Sequence, residues 1–127
     1  MRTKIFCDIA ELDLIKRFNK KEIVKGFTTN PSLMRNAGAK DYKSYSKKIL
    51  KICKNKPVSL EVFADEYFEM KKQAFEINSW AKNVYVKIPL VNSKGKFMGQ
   101  IIKELNSQNI KLNISAVYTS IQVKEIL

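Results

Sequence analysis

Val84-Tyr85-Val86-Lys87-Ile88-Pro89-Leu90 and, further on, Leu112-Asn113-Ile114-Ser115-Ala116-Val117-Tyr118 decide the fold. Each is a short run of β-branched and other apolar residues, of strand length and bounded by polar turns. Between them Asn92-Ser93-Lys94-Gly95 makes a turn that leads into a helix carrying Met98, Ile101, Ile102 and Leu105 at helical spacing. The unit is therefore strand, helix, strand. Working toward the N-terminus, Pro57 opens a strand from Val58 to Ala64, and a helix follows over 66–81 with Met70, Ala74, Ile77 and Ala81 on one side. Residues 3–9 and 23–29 read as two more strands. Residues 11–21 form a helix with Leu12, Ile15 and Phe18 on one side, and Pro31 starts a short helix to about Asn36. Residues 41–54 place Tyr42, Tyr45, Ile49 and Cys53 on one stripe, and Thr119 or Ser120 caps a last helix running to Leu127. Strand followed by helix, five times over, specifies βαβ units, a parallel sheet and right-handed crossovers, with no linker or low-complexity tract to divide the chain.

Strands of a sheet covered on both faces are expected to be apolar throughout. These carry Asp8 between Cys7 and Ile9, Glu61 between Leu60 and Val62, Lys87 between Val86 and Ile88, and Asn113 and Ser115 in alternation with Leu112, Ile114 and Ala116. Side chains alternate faces along a strand, so the polar set projects to one side and the apolar set to helices on the other. Buried charges are costly unless paired or used, and three of them near strand C-termini, where α/β folds bind ligands, point to a site. The chemistry on offer is an amine in a partly desolvated pocket with two carboxylates. Desolvation makes a neutral, nucleophilic lysine accessible, and the natural partner of such an amine is a carbonyl carbon, giving a Schiff base with acid–base help from the carboxylates.

Composition narrows the alternatives. Lys and Arg number 24 against 12 Asp and Glu, a net charge of +12. Much of it is lysine spread over helical segments, such as Lys43, Lys47, Lys48, Lys51 and Lys54, which reads as a solvated face; nucleic acid is not an expected partner, since no recognisable module accompanies the charge. The chain has no histidine, which excludes His-based triads and His-ligated metals, and no cofactor or metal is expected. Cys7 and Cys53 sit among apolar neighbours and read as buried free thiols. No apolar run is long enough to span a bilayer, and Met1-Arg2-Thr3-Lys4 leads into a strand without a signal-peptide pattern, so a cytoplasmic location is expected.

Taken together, these segments resemble the transaldolase / fructose-6-phosphate aldolase family, its small transaldolase-like members in particular. Phe6-Cys7-Asp8-Ile9-Ala10 resembles the family's first strand, and Gly26-Phe27-Thr28-Thr29-Asn30-Pro31-Ser32-Leu33 its "GVTTNPSL" signature. Val58–Val62, Val84–Pro89 and Asn113–Tyr118 match successive strands in the same order. The resemblance implies a TIM (β/α) barrel and an enzyme that moves a dihydroxyacetone unit between sugar phosphates, as in the pentose phosphate pathway. It implies that Lys87 attacks a ketone carbon, that Asp8 exchanges a proton with the hydroxyl released as the carbon–carbon bond breaks, and that Glu61 and Ser115 hold a proton-shuttling water. Thr28, Asn30 and Asn113 would contact sugar hydroxyls or the carbinolamine. From the residues alone, Asn30 reads equally well as the cap of the helix that Pro31 begins, and Thr28 as a strand-former. Glu61 favours the transferase, because the related aldolases carry glutamine there. Ser115 stands where many members have threonine, which keeps the hydroxyl.

A whole barrel takes about 250 residues. The 127 residues are expected to form one partial domain, about five of eight βα units, lacking the C-terminal units and the phosphate-holding residues they carry. A truncated product, a partial barrel whose open edges associate with another copy as a homo-oligomer, and an inactive relative are the three readings of that length.

Overall fold

The computed structural model describes residues 3–127; Met1 and Arg2, the start of the segment read for a leader, lie outside the described residues. Five strands, β1 (Ile5–Asp8), β2 (Val24–Thr28), β3 (Val58–Glu61), β4 (Val84–Pro89) and β5 (Leu112–Ser115), form one parallel sheet in the order β1-β2-β3-β4-β5. The connections hold α1 (Leu12–Asn19), α2 (Pro31–Asn36), α3 (Tyr42–Ile52), α4 (Tyr67–Asn78) and α5 (Gly99–Ser107), and α6 (Ser120–Ile126) follows β5. A doubly wound open sheet reverses its strand order partway; strictly sequential order puts every right-handed crossover on the same face and curls the sheet. The result is a partial (β/α) barrel with helices outside.

The outward residues make the core. Phe27, Val58, Leu60, Val84, Val86 and Ile88 are fully buried. Ile15, Ile49, Met70, Ala74, Ile101 and Leu105, the helical stripes, belong to the same apolar cluster. Each large side chain so buried contributes on the order of 1.5–3 kcal/mol. Caps set the helix starts: Asn30 Oδ1 accepts from Leu33 N–H at 2.9 Å just before Pro31, and Asp41 Oδ2 accepts from Ser44 N–H at 2.8 Å. Thr119, not Ser120, caps α6, in a capping box with Gln122.

Three boundaries differ from the sequence reading, each for a local reason. β3 ends at Glu61 rather than Ala64, because Gln73 Oε1 of α4 takes the Phe63 and Ala64 N–H groups at 2.7 and 2.9 Å and turns the chain outward. The turn at 92–95 does lead into a helix, but residues 91–97 close as a small hairpin with an antiparallel Val91–Phe97 bridge, and α5 starts only at Gly99. Asn92 Oδ1 accepts from both Lys94 N–H and Lys96 N–H inside it, Gly95 takes φ +78°, and Met98 is the N-cap residue of α5 while its side chain stays buried in the core with Ile101 and Leu105. β5 stops at Ser115 because Ala116 adopts φ +58°. Cys53 is buried, but Cys7 is only half-buried, since β1 is an edge strand.

At the strand N-termini the loops are stitched together. Lys56 Nζ donates to Asn19 O and Lys21 O at 2.6 and 3.0 Å, and Lys111 Nζ donates to Lys82 O. Asn83 Nδ2 donates to Lys56 O at 3.1 Å. These lysines satisfy carbonyls at helix ends and loops, where cations are favoured.

Candidate active site

The strand registers place the polar residues. Asp8 pairs with Thr28 and Thr28 with Ser59; Glu61 pairs with Lys87 and Lys87 with Asn113; Pro89 pairs with Ser115. In-register neighbours of parallel strands share a face, so Asp8, Thr28, Ser59, Glu61, Lys87, Asn113 and Ser115 all project to the concave side, away from the helices. Burial follows the same alternation: in β4, Val84, Val86 and Ile88 are buried, while Tyr85, Lys87 and Pro89 are half-buried.

Lys87 stands centrally, with Glu61 on one adjacent strand and Asn113 on the other. Among the described residues the ion pairs are Lys43–Glu76, Lys71–Glu104 and Lys94–Glu66, so neither Lys87 nor Glu61 is tied up in one. The Glu61 backbone is anchored from behind: its carbonyl accepts from Tyr42 Oη–H at 2.8 Å, and burial pushes that phenol well above the usual tyrosine range. Asp8, on the exposed edge strand, accepts from Thr28 Oγ1 at 2.8 Å, which fixes the carboxylate against β2. Thr28 is therefore more than strand filler. Asn30 lies past the end of β2 with its Oδ1 spent on the α2 cap, leaving its Nδ2 without a partner among the described residues. Ser115 closes β5, half-buried and level with Pro89.

Two residues that the sequence reading gave no role emerge here. Ser59, 4% exposed, accepts from Asn113 Nδ2 at 3.0 Å. Tyr42 braces Glu61 from the helix layer. Ser59 shares strand parity with Glu61, a signal present in the sequence; Tyr42 lay in a helical stripe that looked like ordinary core. A hollow of about 510 Å³, lined by Phe6, Ser59, Tyr85 and Asn113 with Lys4 and Lys25, opens on the concave face below Lys87. Neither Lys87 nor either carboxylate lines it. No group of His, Cys, Asp and Glu side chains among the described residues has a metal-holding arrangement. No helix among them is long and apolar enough to cross a membrane.

Sequentially ordered parallel strands with helices outside define a partial (β/α)-barrel scaffold, here with a lysine between a carboxylate and a carboxamide on its inner face. The chain belongs to the Transaldolase/Fructose-6-phosphate aldolase family, whose profile matches residues 5–127. It is 38% identical over 116 residues to a probable transaldolase of Dehalococcoides mccartyi, a match that takes in 91% of this chain and 52% of the relative. Probable transaldolases of Bdellovibrio bacteriovorus and Methanococcus vannielii are each 38% identical, over 120 and 119 residues, covering 94% of this chain and 53% of theirs. The chain spans about half the length of these curated relatives.

Proposed function

We propose that this chain carries the Schiff-base half of a transaldolase-type reaction, moving a dihydroxyacetone unit between sugar phosphates in carbohydrate metabolism. The observation that supports it is the row Glu61–Lys87–Asn113 in register on the concave face, beside the hydrogen-bonded Asp8–Thr28 pair. In this reading the Lys87 amine adds to the C2 carbonyl of a ketose phosphate, and its nitrogen–carbon bond forms as the carbonyl oxygen takes up a proton. Loss of water leaves the iminium, which accepts the electron pair of the C3–C4 bond when Asp8 removes the C4 hydroxyl proton. Glu61 and Ser115 hold the water that carries protons in and out; Thr28, Asn30 and Asn113 contact the substrate hydroxyls. The relatives' names and the glutamate at position 61 favour transfer to an aldose over simple release, as in the related aldolases.

Borohydride reduction in the presence of fructose 6-phosphate tests this directly. The expected result is a hexose phosphate or dihydroxyacetone adduct on Lys87, absent in Lys87→Met. A folded sample with no adduct refutes the reading.

A second reading is favoured by the sheet edges. Among the described residues β1 has no partner on one side, with Ile5 and Phe6 exposed, and α6 buries none of its residues, leaving Ile121 and Leu127 exposed. We propose that these edges support homo-oligomer formation, so that the chain acts at least as an associating scaffold; sedimentation showing only monomer at high concentration would dismiss it.

A further inference from the structure

The Ser59–Asn113 hydrogen bond joins strands that are not neighbours. β4 lies between β3 and β5, and adjacent strands run about 4.8 Å apart. For Asn113 Nδ2 to come within 3.0 Å of Ser59 Oγ, the two side chains must meet over β4 on the concave face. By register Tyr85 stands opposite Ser59 and Lys87 opposite Asn113, so the bridge passes between these two side chains. The Asn113 carboxamide therefore lies at the foot of the Lys87 side chain.

Ser59 is a firm acceptor. It is 4% exposed, and its own carbonyl takes both the N–H and the hydroxyl of fully buried Thr29, at 3.2 and 3.3 Å. With Nδ2 committed to Ser59, Asn113 Oδ1 has no donor among the described residues. An amide held by one end presents the other in a defined direction, and an unpaired half-buried acceptor on the strand next to Lys87 suits a hydrogen borne on the adduct that its amine forms.

We propose that Ser59 is a positioning residue for the amine chemistry of Lys87: it locks the Asn113 carboxamide so that Oδ1 receives a hydrogen bond from the carbinolamine. In that step the Lys87 nitrogen lone pair forms the bond to the carbonyl carbon and the carbonyl oxygen takes a proton. The nitrogen gives up one hydrogen and keeps the other for Asn113 Oδ1, and the hydroxyl, protonated through the water that Glu61 and Ser115 hold in this reading, leaves as water to give the iminium. The inference rests on the Schiff-base reading above.

The test uses the whole chain with dihydroxyacetone and borohydride, following the rate of adduct formation at Lys87 by mass. Ser59→Ala should slow trapping between about twofold and tenfold, the worth of one hydrogen bond. Ser59→Thr, which keeps the hydroxyl, should restore it. In an Asn113→Ala background Ser59→Ala should change nothing further, a coupling that a purely structural serine would not show. The Asn113 side-chain amide resonances should also move in Ser59→Ala and stay in place in Ser59→Thr, which reports on the folded fraction even if the alanine variant loses stability. Trapping unchanged by Ser59→Ala, or slowed equally with and without Asn113, overturns this inference alone. No trapping by the unsubstituted chain overturns the Schiff-base reading and this inference with it.

Discussion

Gly26 sits in β2 opposite Phe6, where a methyl group has no room. A Cβ built there falls 2.5 Å from a Phe6 ring carbon and 2.7 Å from the Pro57 carbonyl oxygen. The ring can swing away, since Phe6 is 42% exposed on the edge strand. The carbonyl cannot, because the same oxygen accepts from Phe27 N–H at 2.9 Å and seats β3 against β2. Gly26→Ala must therefore spread two strands. Overpacking of this kind costs about 1–3 kcal/mol, and a weakened ladder bond adds roughly 0.5–1.5. The stiffer unfolded chain returns about 0.4–1 kcal/mol, leaving a net destabilisation of about 1–3. With a urea slope on the order of 1–3 kcal/mol per molar, the unfolding midpoint should drop by roughly 1 M at unchanged slope. Adding Phe6→Ala should recover only a minor part of the loss, because the carbonyl contact remains. An unchanged midpoint in Gly26→Ala, or full recovery in the double variant, would refute the reasoning and place the strain in the ring.

Two further outcomes follow from titrating groups. Burial raises the Cys53 thiol from 9.0 to about 11, so the neutral thiol contributes stability that is fully present below pH 9 and fades as pH rises toward 11. Between pH 7 and pH 10 the chain should lose about 1 kcal/mol more than Cys53→Ala does, read from urea midpoints; parallel losses would contradict this. Asp65 is held below its ordinary 3.8 by the Ser93 hydroxyl and N–H, which it accepts at 2.6 and 2.8 Å. That latch on the 91–97 hairpin is present above pH 3.8 and is lost as the pH falls below it. Asp65→Asn should speed amide exchange at Ser93 at neutral pH, and unchanged exchange would show that the hairpin is held by Asn92 alone.

The strands were legible in the sequence because their outward residues are mostly apolar and many of their inward ones are polar. Alternation alone placed Asp8, Glu61, Lys87, Asn113 and Ser115 on one side, and the registers put them there. What escaped was decided by side chains reaching from a different element. The end of β3 depends on Gln73, which lies in the middle of α4. The hairpin after β4 depends on Asp65, which accepts from Ser93 across 28 residues. No local propensity encodes either contact. Ser59 escaped for another reason: serine in a strand is common, and only the position of Asn113, two strands away, gives its hydroxyl a task. Asn30 remained ambiguous in the sequence because one side chain offers both a capping oxygen and a free amide, and the structure uses the first while leaving the second open.

The lysines beneath the sheet bear on how this chain will respond to chemical labelling. Lys56 spans from the loop before β3 to the end of α1, and Lys111 ties the loops before β5 and β4. An acylating reagent that caps either ammonium would remove a clamp along with a charge, whereas capping an outward lysine such as Lys47 removes charge alone. Progressive acylation should then proceed in two stages: a rapid loss of positive charge with the fold intact, followed by a slow phase in which modification and unfolding advance together. The number of acyl groups tolerated before the second stage begins would count the solvated cations and separate them from those that serve as ties at the base of the sheet.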